Sequence, residues 1–179
     1  GMVGEFPELQ GIMGCYYATA QQLPKILAEA IRDHYKPQGA SDTLPESLLA
    51  RIISLADKLD SIASLFAVGE KPTGSKDPLA LRRAALGIIR LLTDEANFWP
   101  NLPLTPLVEA AISLQPATAN TPALHAEMMS FFEERLRGVL KDQDYASDVV
   151  EAVLAVHHAD FPAVTQLAAA VLTHATDLA

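Results

Sequence analysis

With a single cysteine, Cys15, among its 179 residues, the chain can form no internal disulfide. That excludes the cross-linked scaffold of small secreted domains and fits a reducing cytoplasm. Aromatic residues are scarce, at 6% against 50% hydrophobic residues overall, so Leu, Ile, Val and Ala have to fill the core, as they do in helical bundles. No apolar run approaches the roughly 20 residues of a bilayer span, so no membrane-spanning helix is expected. The first ten residues carry acids and Pro7 where a secretory signal needs basic residues followed by an apolar run. A soluble protein is expected, and Gly1 reads as a remnant of an expression tag.

Positive charge is also in short supply. The net charge is −9, which excludes a protein that coats nucleic acid indiscriminately and gives no reason to expect DNA as a partner. The exception is local: Lys71, Lys76, Arg82, Arg83 and Arg90 face one acid, Asp77, a segment of +4 that leaves −13 on the rest. A basic segment on an acidic body holds an anionic partner at one place and repels it elsewhere.

Strand-like alternation is missing, whereas helical spacing recurs. After Pro24, the residues Leu27, Ala30, Ile31 and His34 share a helical face that ends at Lys36-Pro37-Gln38-Gly39. From Pro45 to Phe66 a wide apolar stripe includes Leu48, Ile52, Ala56, Leu59, Ile62 and Phe66, with Arg51, Lys58 and Asp60 expected to point outward. Gly69, Pro72 and Gly74 mark a loop, and Asp77-Pro78 supplies an N-cap acid before a first-turn proline, so a helix is expected from Pro78 to about Leu92. The stretch Phe98–Pro103, with Pro106 behind it, divides the chain at 98/99. Beyond it, helices are expected over Leu107–Leu114, from Pro122 onward with Leu124, Met128, Phe131, Phe132, Leu136, Val139 and Leu140 inward, and over about Tyr145–Val156 and Phe161–His174. The fold class is all-α, without solenoid repeats.

The chemistry-bearing motifs are few. Gly69–Lys76 has the glycines of a phosphate-binding loop, but that loop needs Gly-Lys-Ser/Thr after a buried strand, and here Ser75 and Lys76 stand in reverse order after a helix. A connection between helices is the favoured reading. His34, His125, His157, His158 and His174 are scattered and make no metal-ligand spacing, and His34 reads as a packed, hydrogen-bonded histidine. Asp57 and Asp60, three apart on one helix, are accounted for equally well by a shared site or a solvated face.

Several strings occur in the order Met2–Gly14, Asp33-His34-Tyr35-Lys36-Pro37, Leu55-Ala-Asp-Lys-Leu-Asp60, and Lys71-Pro-Thr-Gly-Ser-Lys-Asp-Pro78 leading into Ala80–Gly87. Together they closely resemble the β subunit of bacterial tetrameric glycyl-tRNA synthetase, of which this chain looks like an internal piece. Cys15 and Leu79 depart from the family's pattern, where an Arg and an aromatic residue are expected. The resemblance implies a helical His-Asp (HD) type domain over residues 1–98, and a helical extension over 99–179 leading toward the anticodon-binding region. It implies ATP-dependent glycylation of tRNA(Gly) by an α2β2 complex that uses ATP and Mg, with the active site on the α subunit. This chain would then serve tRNA binding and assembly in the cytoplasm without catalysing. The superfamily's closing Ala-Asp motif makes Asp57 a relic metal-ligand candidate, but Asp33-His34 reverses the His-Asp order, so no working metal site and no resident cofactor are expected. The alternatives are a metal-dependent phosphohydrolase and a purely structural helical scaffold.

The tRNA-binding candidates are Lys71, Lys76, Arg82, Arg83 and Arg90. Helical geometry places Arg83 and Arg90 on one face with Arg82 nearby, and the free N–H groups at the start of that helix are expected to attract phosphate. The competing expectation pairs some of these arginines with acids such as Asp57 or Glu95.

Overall fold

Pro24 opens a short helix and Ser47 a long one, and their packing sets the frame for the rest. In a computed structural model of the chain, the elements run α1 (Met2–Glu5), a 3₁₀ turn (Pro7–Leu9), α2 (Ile12–Ala20), α3 (Lys25–Asp33), α4 (Leu48–Ala67), α5 (Leu81–Leu92), α6 (Leu104–Ser113), α7 (Pro122–Asp142), α8 (Ser147–His157) and α9 (Phe161–Asp177). The structure describes all residues except 1, 73–76, 78, 95–98, 100–101, 117–118, 158–159 and 178–179, and except the side chains of 2–3, 157 and 172–177. Among the described residues there is no strand, and the fold is all-α. None of the helices described is long and apolar enough to cross a membrane.

The central helix is α4, onto which α3, α5, α6 and α7 all pack. It starts where the Ser47 hydroxyl accepts the Ala50 N–H at 3.2 Å, and α7 starts likewise, with Thr121 Oγ1 accepting the Leu124 N–H at 3.1 Å. Each cap satisfies one of the four N–H groups that a helix start leaves without an intrahelical partner. Helix α8 packs on α7, and α9 packs on α8 and returns to touch α5. One apolar cluster runs through these helices, including Ile62, Phe66, Ile88, Leu104, Phe132, Val150 and Phe161, so side chains from both sides of residue 98 share it. The rings of Phe66, Phe131 and Phe132 meet in a chain, with centroids 5.1 and 6.0 Å apart, spacings typical of attractive aromatic pairs.

The helices expected after Pro24, Pro45 and Pro122, and the two C-terminal ones, are present within a few residues of their expected limits. Leu27 is exposed, although the stripe of α3 was expected to bury it. Helix α4 differs in orientation. Arg51 and Lys58, expected to point to solvent, are only 5% and 7% exposed, while Leu48 and Ile52 are 46% and 48% exposed. Hydrogen-bond demand is the reason. The carbonyls that close α3 and the loop after it need donors where α4 passes beneath them, and Ser54, Lys58 and Arg51 provide them. Helix α5 starts at Leu81 instead of Pro78, because Ala80 takes a left-handed conformation with φ of 57°. Asp77 caps it from a distance, accepting the Leu81 and Arg82 N–H groups at 2.8 and 2.9 Å.

Candidate functional site

Where α3 ends against α4 and α5, the chain forms an open cleft of about 340 Å³ lined among others by Gln10, Tyr35, Asp57, Ser61, Leu79 and Arg83. The strings Met2–Gly14, Asp33–Pro37, Leu55–Asp60 and Ala80–Gly87, far apart in sequence, therefore converge on one place.

Lys58 builds one wall of the cleft. Its Nζ lies 3.3, 3.2 and 3.1 Å from the carbonyl oxygens of His34, Tyr35 and Lys36, and donates to Ser54 Oγ at 2.9 Å. Ser54 Oγ in turn donates to the Lys36 carbonyl at 2.6 Å. A cation placed on carbonyls at the end of a helix also meets the negative end of its dipole. Burial pushes the Lys58 ammonium down to about 8, with Asp57 and Asp42 pulling the other way. Room for its stem comes from Gly87, where a Cβ would stand 3.0 Å from Lys58 Cε and 3.5 Å from Pro37 Cγ. The Lys36–Pro37 bond is cis.

The reversed pair Asp33-His34 has separate structural tasks. Asp33, 6% exposed, accepts from Arg32 Nε at 2.9 Å and Nη2 at 2.7 Å, and Lys36 Nζ stands 3.1 Å away. Hydrogen bonding to Arg32, aided by Lys36, holds this carboxyl below its usual range. His34 Nδ1 lies 3.2 Å from the Ala30 carbonyl, and its ring rests on Tyr35 with centroids 3.9 Å apart. Asp57 is exposed at the cleft. Among the described residues, no group of three or more His, Cys, Asp or Glu side chains converges as a metal would require.

The basic candidates separate in space. Arg83 is exposed at the cleft, and its guanidinium makes no hydrogen bond or ion pair among the described residues. Arg90, on the same face of α5, is committed to the loop after α3, donating to the carbonyls of Gly39 at 2.8 Å and Asp42 at 2.7 Å. The acid partners considered for these arginines, Asp57 and Glu95, are thus not what holds Arg90, and Glu95 lies outside the described residues. Arg82 points the other way, into a groove along α7 with Lys71, Glu127, Glu134 and Arg135. One residue of helix turns a side chain by about 100°, enough to send Arg82 and Arg83 to opposite sides of α5. Lys71 is paired with Glu127. Lys76 lies outside the described residues. The single basic surface expected from the sequence is therefore divided, and acids on α7, remote in sequence, offset part of it. Two N–H groups at the start of α5, expected to be free for phosphate, are taken by the Asp77 carboxylate.

Sequence reasoning missed Lys58 and Gly87 as parts of this site. The available signal was a charged residue placed among buried positions of an apolar helix, opposite a glycine in the next helix.

A family model described as "Glycyl-tRNA synthetase beta subunit" matches residues 1–155. The glycine–tRNA ligase beta subunit of Methylobacillus flagellatus is 50% identical over 156 residues, covering 87% of this chain and 22% of that protein. Those of Paracoccus denitrificans and Rhodospirillum centenum are 48% and 46% identical, covering 87% and 86% of this chain and 21% of each relative. The chain thus spans about a fifth of the length of these relatives. On a match over most of its length, the chain belongs to the glycyl-tRNA synthetase beta subunit family.

Proposed function

We propose that this chain contributes to binding tRNA(Gly) within the β subunit of an α2β2 glycyl-tRNA synthetase. In that reading the complex uses ATP and Mg to glycylate tRNA in the cytoplasm, the α subunit holds the catalytic centre, and this stretch, an HD-like helical domain with its extension, grips RNA and supports assembly. One observation carries the RNA contact: Arg83 is an exposed guanidinium without an acid partner among the described residues, at the cleft where the family-like strings meet. An Arg in that state is available for bidentate hydrogen bonding to a phosphate. Lys76, five residues before α5 in the sequence, remains a second candidate. Lys71, paired with Glu127, has to give up that ion pair before it can bind phosphate.

The test is tRNA(Gly) affinity of the full-length β subunit across a salt series. Arg83→Ala is expected to weaken binding and to flatten the dependence of log affinity on log salt by roughly one unit of slope, the signature of one lost phosphate contact. Lys71→Ala is expected to do less. Unchanged affinity and slope in a folded Arg83→Ala subunit would leave this stretch as scaffold.

A further inference from the structure

Helix α2 contains no charged residue, and neither does the stretch Leu9–Pro24 around it, sixteen residues of a chain that is 20% charged. A helix that is apolar all round is normally buried all round. This one is not. It packs against α3 so closely that a Cβ on Gly14 would come within 2.6 Å of Ile31 Cγ2, yet only Ala18 of its nine residues is buried. On its open side Ile12 and Tyr16 follow one another at a helical turn with Tyr17 beside them, the two tyrosines 66% and 57% exposed. Ile26 and Leu27 of α3 are exposed as well. Half of the exposed large apolar side chains among the described residues fall between Phe6 and Leu27. Concentration on one hairpin marks an interaction face, where scattered exposure would not.

The chemistry of the face narrows its occupant. RNA binding draws on cations near the strand; Leu9–Pro24 has none, and on α3 Lys25 and Arg32 are paired with Glu29 and Asp33. Permanent interfaces resemble a domain core cut in half, whereas transient ones keep polar surface, and this face is of the first kind. About four fifths of the length of the family's subunits lies outside the matched stretch. A covalently joined segment whose linker spans the distance acts at an effective concentration in the millimolar range, which favours it over a separate chain as the cover of an apolar face. We infer that the α2–α3 hairpin is the docking face for another segment of the same β subunit, one that closes over Ile12, Tyr16 and Tyr17 with apolar side chains. The inference rests on family membership and not on the reading of Arg83 as an RNA contact, so either stands if the other fails.

Hydrogen exchange read by mass spectrometry tests it, on the 179-residue chain and on the full-length β subunit without α subunit or RNA. The amides of Ile12–Ala20 are expected to exchange at least ten-fold more slowly in the full-length subunit, and Tyr17→Asp in that subunit is expected to return them toward the rate of the shorter chain while the amides of α7 keep theirs. Equal rates in the two wild-type proteins overturn the inference, and this comparison stands even where the variant fails to fold. Protection that arises only on adding α subunit, or only on adding tRNA, overturns it in favour of a partner in trans. Protection already present in the 179-residue chain and dependent on its concentration overturns it in favour of self-association.

Discussion

Lys58 carries an ammonium group to a place where four acceptors surround it, and the consequence is a specific pH dependence. Its proton leaves the folded chain near pH 8, against 10.5 for an ordinary lysine, chiefly because burial disfavours the charge. Between those two values the unfolded chain binds more protons than the folded one, so the stability linked to this group rises with pH across that window and is flat below it. In urea titrations of wild type and Lys58→Met at pH 7, 8, 9 and 10, the wild type is expected to gain on the variant above pH 8. A constant difference would remove Lys58 from the account. The sequence did not reveal this role because a lysine and an arginine on an apolar helix ordinarily mark its solvent face. What reversed that expectation is a set of carbonyls at positions 34–36 and 45, and backbone demand of this kind has no side-chain signature. Arg83 was legible as a cation, but its freedom was not, since it depends on Asp57 lining the same cleft without pairing with it.

At the scale of elements, turn and cap chemistry carried most of what could be read. Ser47, Thr121 and Asp77 each stand at a helix start and each accepts backbone N–H groups. Thr121→Ala is expected to lower stability by about 1 kcal/mol, the usual value of an N-cap, with the slope of the urea transition unchanged. No change in midpoint would mean that the α7 start is held by packing alone. Periodicity found the helices with one apolar face, among them α7, whose Leu124, Met128, Phe131, Phe132, Leu136 and Leu140 are buried as expected. It could not find α2, which has no polar face to give the pattern a period. The start of α5 was placed three residues early because Asp77 caps across a left-handed Ala80, a geometry that Asp-Pro alone does not announce.

For the molecule as a whole, Phe132 is one of the largest fully buried side chains, on α7 within the common cluster. Phe132→Ala is expected to cost about 3–5 kcal/mol. Because the cluster takes side chains from both sides of residue 98, the loss is expected to appear in a single unfolding transition, whereas separate transitions for the two halves would show that 1–98 and 99–179 fold apart. Fold class and family were legible from the sequence, the one from recurring helical spacing and the other from strings such as Leu55–Asp60 and Ala80–Gly87. The division of the basic surface was not, because it depends on α7 packing against α5 from some fifty residues away. The central claim, an RNA contact at Arg83 that serves a reaction centred elsewhere, is tested most directly by steady-state glycylation with the reconstituted α2β2 enzyme carrying Arg83→Ala. The expected result is a KM for tRNA(Gly) raised roughly ten-fold, as for one charge-assisted hydrogen bond of about 1.5 kcal/mol, with glycine-dependent ATP–pyrophosphate exchange unchanged. An unaltered KM, or a loss of exchange activity in a folded enzyme, would contradict it.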